Sequence, residues 1–77
     1  MSVKRKVSGS DTIGIGRRIR QVRGFDLTQE AFAEQLGISQ SQLSKYERGL
    51  ISPPADVLLR IKEKFKVSVD WLLTGVK

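Results

Sequence analysis

The sequence predicts an all-α fold, a compact domain of five short helices in which the second and third form a helix-turn-helix. Three observations carry that prediction. Apolar residues recur at helical spacing from Ile13 onward. Capping residues and glycines bracket each apolar run. No stretch of useful length alternates apolar and polar residues in the way of a half-buried strand. With 77 residues the chain has material for one small core and none for a second.

Residues 1–12 read as a flexible basic arm and 13–77 as the helical domain. The arm carries Lys4, Arg5 and Lys6 in succession, then Ser8, Gly9 and Ser10, with almost nothing to bury. The first helix begins at about Ile13. Ile15, Ile19 and Val22 form one apolar stripe, Arg17, Arg20 and Gln21 face away from it, and Arg23 lies at its margin. Gly24 ends this helix and Phe25-Asp26 forms the turn. Thr28 caps the second helix, Leu27 and Phe32 make a hydrophobic staple, and Phe32, Ala33 and Leu36 make the inner face. Gly37 supplies a left-handed exit. Ser39 and Gln42 then form a capping box, with Ile38 and Leu43 as a second staple, and Gly49 closes the third helix after Arg48. The link from Gly37 to Ser39 is short enough to force a steep crossing of the two helices. Ser52-Pro53-Pro54 opens the fourth helix, since proline suits a first turn, and Leu58, Ile61 and Phe65 form its stripe beside Val57. Ser68 caps the last helix, about Val69 to Leu73, with Val67 facing Leu72 and Gly75 beyond the end.

The charge balance points to a polyanionic partner: 14 Lys and Arg stand against 8 Asp and Glu, a net charge of +6. Cysteine is absent, which excludes a disulfide, a thiolate zinc site and a thiol nucleophile. Histidine is absent too, and with it the commonest general base and transition-metal ligand. No enzyme, metal or cofactor is therefore expected. No apolar run approaches the roughly 20 residues that span a bilayer, and no signal-peptide core follows Met1, so no membrane partner and a cytoplasmic location are expected. Gly14-Ile15-Gly16 hints at a phosphate loop, but no strand precedes it and the rest of the fingerprint is missing. Asp56, Glu63 and Asp70 read as solvated acids or acids at helix N-termini.

The third helix carries the functional signal. At about 100° per residue, Gln40, Ser41, Ser44, Lys45 and Arg48 share one arc of roughly 140° that holds no apolar or acidic residue. Leu43 and Tyr46 lie opposite, with Gln42 and Glu47 at the edges. Amides, hydroxyls and cations are the groups that hydrogen-bond base edges and phosphates in a major groove, although an ordinary solvated helix face has a similar composition. The surrounding spacing favours the groove. A helix-turn-helix needs a small residue where the helices cross, a turn residue that tolerates positive φ, and apolar anchors. Ala33, Gly37 and the set Phe32, Leu36, Ile38, Leu43 and Tyr46 supply these in turn.

This arrangement resembles the Cro/repressor-type, or XRE, family of helix-turn-helix regulators. Leu27-Thr28-Gln29-Glu30-Ala31-Phe32-Ala33 looks like the family's "LTQEELA" segment, and Tyr46-Glu47-Arg48-Gly49 like its "YERG" or "WENG" ending. Val67 to Gly75 is similar to the fifth helix of phage repressor DNA-binding domains, and the likeness runs from about Ile13 to Gly75. The resemblance implies a small sequence-specific regulator of transcription, a repressor, that binds double-stranded DNA and sits at the nucleoid when bound. It implies that Gln29 meets a phosphate, that Gln40 and Ser41 enter the groove first, and that Gln40 suits adenine. It puts Lys45 on guanine or a nearby phosphate, Gln42 and Ser44 on backbone or bases, and Arg48 on a phosphate. It also implies an ion pair between Arg23 and Glu47 that joins the first helix to the end of the third.

The arm at Lys4, Arg5 and Lys6 would lie along a phosphate backbone or a minor groove, or else simply solubilise the chain. Because one module reads only a few base pairs, a homodimer on a pseudo-palindromic operator is expected, its reading helices roughly 34 Å apart. Leu59, Val69 and Leu73 are the candidate contact residues, while Trp71 reads as core. The alternative is an antitoxin-like or partner-binding module that keeps the fold without DNA contact. Restriction controllers and antitoxins resemble the same module.

Overall fold

The computed structural model describes the backbone of residues 8–76 and the side chains of 12–76; Lys4, Arg5 and Lys6 lie outside the described residues. Five helices follow in order: α1 (Ser8–Arg23), α2 (Gln29–Leu36), α3 (Gln40–Glu47), α4 (Ala55–Phe65) and α5 (Val69–Thr74). No strand occurs among the described residues.

The boundaries follow from local chemistry, with three departures from expectation. Thr28, Ser39 and Ser68 each accept a hydrogen bond from the backbone N–H three residues on, the bond that an N-cap side chain makes. The first departure is at α1, which starts at Ser8 rather than Ile13, so residues 8–12 belong to a helix and not to an arm. Periodicity is blind there because residues 8–12 include no apolar residue. The second is at α4. Pro54 sits at the N-cap in extended conformation and Ala55 is the first helical residue, so both prolines precede the helix instead of filling its first turn. The exit from α4, on which the periodicity makes no prediction, is a left-handed Lys66 at φ 59° that nothing in the local composition signals. The third is at α5, which runs one residue further than expected, to Thr74.

The core is a single cluster to which every helix contributes: Ile15 and Ile19 from α1, Phe32 and Leu36 from α2, Leu43 and Tyr46 from α3, Val57, Leu58 and Ile61 from α4, and Leu72 from α5. Val22, Leu27, Phe65 and Trp71 pack against it as partly buried residues. Phe32 and Phe65 hold α2 to α4 with ring centroids 4.8 Å apart in a tilted contact. Two arginines tie the helix C-termini. The Arg18 Nη1 donates to the Leu72 carbonyl of α5 at 2.7 Å, and the Arg60 Nη1 donates to the Leu36 carbonyl of α2 at 2.9 Å. Both carbonyls lack an intrahelical partner, so each guanidinium satisfies an orphan acceptor between elements far apart in sequence.

Gly16 explains the glycines that open the domain. An added Cβ there would overlap the Tyr46 carbonyl oxygen and stand 2.8 Å from that of Glu47. The pair Gly14 and Gly16 is no phosphate loop: it lies inside α1, and Gly16 lets the last turn of α3 rest directly on that helix.

Candidate nucleic-acid interface

The turn between α2 and α3 is built by hydrogen bonds that reverse the chain in few residues. Gly37, at φ 71°, donates to the Glu34 carbonyl at 3.1 Å, and Ile38 donates to the Ala33 carbonyl at 3.0 Å. This is the paired closure of a left-handed C-cap, and the positive φ is why glycine stands there. Ser39 then starts α3 with both halves of its capping box formed. Its hydroxyl accepts from the Gln42 N–H at 3.1 Å, and its own N–H donates to Gln42 Oε1 at 3.2 Å.

The helix so positioned has two unlike sides. Leu43 and Tyr46 are buried against the core, while Gln40, Ser41, Gln42, Lys45 and Arg48 are exposed and Ser44 is half-buried. Two of these side chains have local duties. Gln42 spends its amide oxygen on the capping box, leaving its NH2 group outward. Arg48, the C-cap residue, reaches back with Nε toward the Ser44 carbonyl at 3.4 Å.

A chain of hydrogen bonds connects α1 to the first residue of α3. The Arg23 guanidinium grips Glu47 with both arms, Nε to Oε2 at 2.8 Å and Nη2 to Oε1 at 3.0 Å, and donates a third bond from Nη1 to the Leu27 carbonyl at 3.1 Å. The pair implied by the resemblance is thus present, and it is largely sheltered, with side-chain exposures of 15% for Arg23 and 4% for Glu47. Gln29 joins it by donating Nε2 to Glu47 Oε1 at 3.0 Å, and Gln40 Nε2 approaches Gln29 Oε1 at 3.5 Å. The order has a direction. An ionised carboxylate only accepts, so Glu47 draws the NH2 end of Gln29, which leaves the oxygen of Gln29 for Gln40. The Gln40 amide is thereby turned with its NH2 toward α2.

The structure therefore brings Gln29, Gln40, Arg23 and Glu47 together and sets Ser41, Lys45 and Arg48 on the open face beside them. The Gln29 link to Glu47 went unread in the sequence, since wheel geometry treats one helix at a time and this contact spans two. Of the expected dimer residues, Leu59 and Leu73 are 50% and 37% exposed, whereas Val69 is partly buried against its own core. Part of the Val69 side chain is thus taken up by the monomer's own packing. Phe25, read as part of a turn, is fully exposed, and so largely are Leu50 and Ile51, which lie outside any periodic run and carried no reading in the sequence. No helix of the described residues is long and apolar enough to cross a membrane, and no group of three or more acidic, His or Cys residues among them could hold a metal ion.

A capped helix of eight residues, seated by two buried anchors and showing amides, hydroxyls and cations outward, defines a helix-turn-helix module. Comparison with known proteins agrees. The chain belongs to the XRE-type helix-turn-helix family, whose model matches residues 17–72. It is 38% identical over 64 residues to the HTH-type transcriptional regulator ImmR of Bacillus subtilis, a match covering 79% of this chain and 49% of that protein. The chain spans about half the length, or less, of the first curated relatives it matches. Among solved structures it is similar to the P22 c2 repressor in complex with a synthetic operator, at a TM-score of 0.74 and 32% identity over 80% of this chain and 96% of that one. It is also similar to the restriction-modification controller protein C.AhdI of Aeromonas hydrophila, at a TM-score of 0.72 and 25% identity over 82% and 97% of the two chains.

Proposed function

We propose that this chain binds double-stranded DNA in a sequence-specific manner and regulates transcription in the cytoplasm, as a repressor, by laying α3 in the major groove. The observation that carries the reading is the outward face of α3, where Gln40, Ser41, Lys45 and Arg48 are exposed together over buried Leu43 and Tyr46. Gln40, its NH2 turned by Gln29, reads adenine through a pair of hydrogen bonds. Lys45 takes guanine or a phosphate one turn further along, with Ser41, Gln42 and Ser44 between them. Gln29, at the start of α2 beside Gln40, and Arg48, at the end of α3, meet phosphates. Two copies bind a pseudo-palindromic operator about one helical turn apart, with Leu59 and Leu73 the exposed apolar residues for their contact. The likeness to a repressor crystallised on its operator supports this reading.

Duplex binding measured against salt tests it. Log affinity is expected to fall linearly with log salt at about −0.9 per phosphate contact. A flat response, or no binding at low salt, defeats the proposal in favour of a partner-binding module. Gln40→Ala is expected to erode preference for the selected site while sparing non-specific binding. Arg48→Ala is expected to weaken all duplexes alike and to make the slope shallower by about one unit.

A further inference from the structure

Two shallow depressions that share Gln21 lie along α1. One, of about 490 Å³, lies between α1 and the α4–α5 junction, floored by Val22, Val67 and Trp71 with Lys66 at its rim. The other, of about 460 Å³, runs over Arg17 and Arg20 to Phe25 in the α1–α2 turn. We propose that this trough binds an acidic, amphipathic segment of a partner protein.

Charge and apolarity together select that occupant. Arg17, Arg20 and Lys66 are exposed cations, and no acid lines either depression. Asp26 and Asp70 are close in sequence but lie outside both linings. Arg23, which also lines the second depression, has its charge matched by Glu47, so the net attraction comes from the other three. Duplex DNA satisfies the cations but leaves the apolar groups unrewarded, since a phosphate backbone offers nothing to Phe25, Val22 or Trp71. Phe25 stands wholly in solvent, and Trp71 is only partly covered although its ring packs on the core. A segment with carboxylates on one side and one or two large apolar side chains on the other covers both kinds of group at once. None of these residues belongs to the outward face of α3, so the proposal stands independently of DNA binding.

Trp71 is the sole tryptophan of the chain and reports on the trough directly. The probe is a twelve-residue peptide of Glu and Leu with one Phe and no Trp, beside a control with Lys for Glu. The acidic peptide is expected to shift Trp71 emission and to bind saturably, and the basic one to do neither. Phe25→Ala and Arg20→Glu, both at exposed positions, are each expected to weaken the peptide by about tenfold, the usual scale for an aromatic anchor or a steering charge. Lys45→Ala is expected to leave it unchanged. Three results overturn the proposal: no binding at millimolar acidic peptide; loss in Lys45→Ala instead, which puts the peptide on the α3 face; or loss of duplex affinity in Arg20→Glu with peptide binding untouched by Phe25→Ala, which makes the patch a phosphate contact.

Discussion

Replacing Gly16 by alanine is the sharpest test of how α3 is held. Two effects oppose each other. Inside a helix alanine is favoured over glycine by about 1 kcal/mol, because glycine surrenders more backbone freedom. Against this, the new methyl at residue 16 would meet the Tyr46 carbonyl oxygen and, at 2.8 Å, that of Glu47, where ordinary contact begins near 3.4 Å. Both obstacles are backbone, so no side chain can swing aside and the last turn of α3 must lift off α1 by several tenths of an ångström. Overpacking of this kind costs about 1–3 kcal/mol, and rigid backbone belongs at the upper end. The expected net loss is about 2 kcal/mol, or a fall in Tm of about 10 °C for a domain of this size. Gly14→Ala is the internal control, since the methyl there meets only the end of the Arg18 side chain. It is expected to lie within about 0.5 kcal/mol of the parent, or to gain slightly from helix propensity. Urea and thermal unfolding followed by circular dichroism measures both. A Gly16→Ala protein as stable as the parent, or equal losses in the two variants, refutes the reasoning.

Three further outcomes follow from the same geometry. Arg23→Ala leaves Glu47, whose side chain is 4% exposed, with Gln29 as its remaining partner, and is expected to cost about 3 kcal/mol in urea unfolding. Arg23→Lys is expected to recover only part of this, lacking the fork that spans both oxygens, and full recovery would contradict the bidentate geometry. Ser39→Ala removes the α3 cap and is expected to cost about 1 kcal/mol by the same assay, with a loss near zero counting against the capping box. Lys66→Gly relieves a left-handed residue at φ 59° and is expected to raise stability by about 0.5 kcal/mol, after allowance for the freer unfolded chain; a destabilised variant speaks against that conformation.

Much of the fold was legible because helix boundaries are written within a turn of themselves. Thr28, Ser39 and Ser68 cap by bonding a backbone N–H three residues away, and Gly37 exits by bonds to Ala33 and Glu34. The boundaries that misled have equally local reasons. Residues 8–12 hold no apolar residue that periodicity could register, and Ala55 rather than a proline is the first helical residue of α4. The outward face of α3 was legible too, since one wheel separates Gln40, Lys45 and Arg48 from Leu43 and Tyr46.

Residue order alone therefore determined the five helices, their apolar stripes and the polar face of the third, because each depends on neighbours no more than about four positions away. Folding in three dimensions decided how those helices sit: Gly16 under the α3 carbonyls, Arg18 on the end of α5, Gln29 between Glu47 and Gln40, and Val69 partly buried against the core. These contacts join residues 11 to 54 positions apart. They arise only when buried stripes choose partners, since an orphan carbonyl or carboxylate pairs with whichever donor the packing of the core delivers to it.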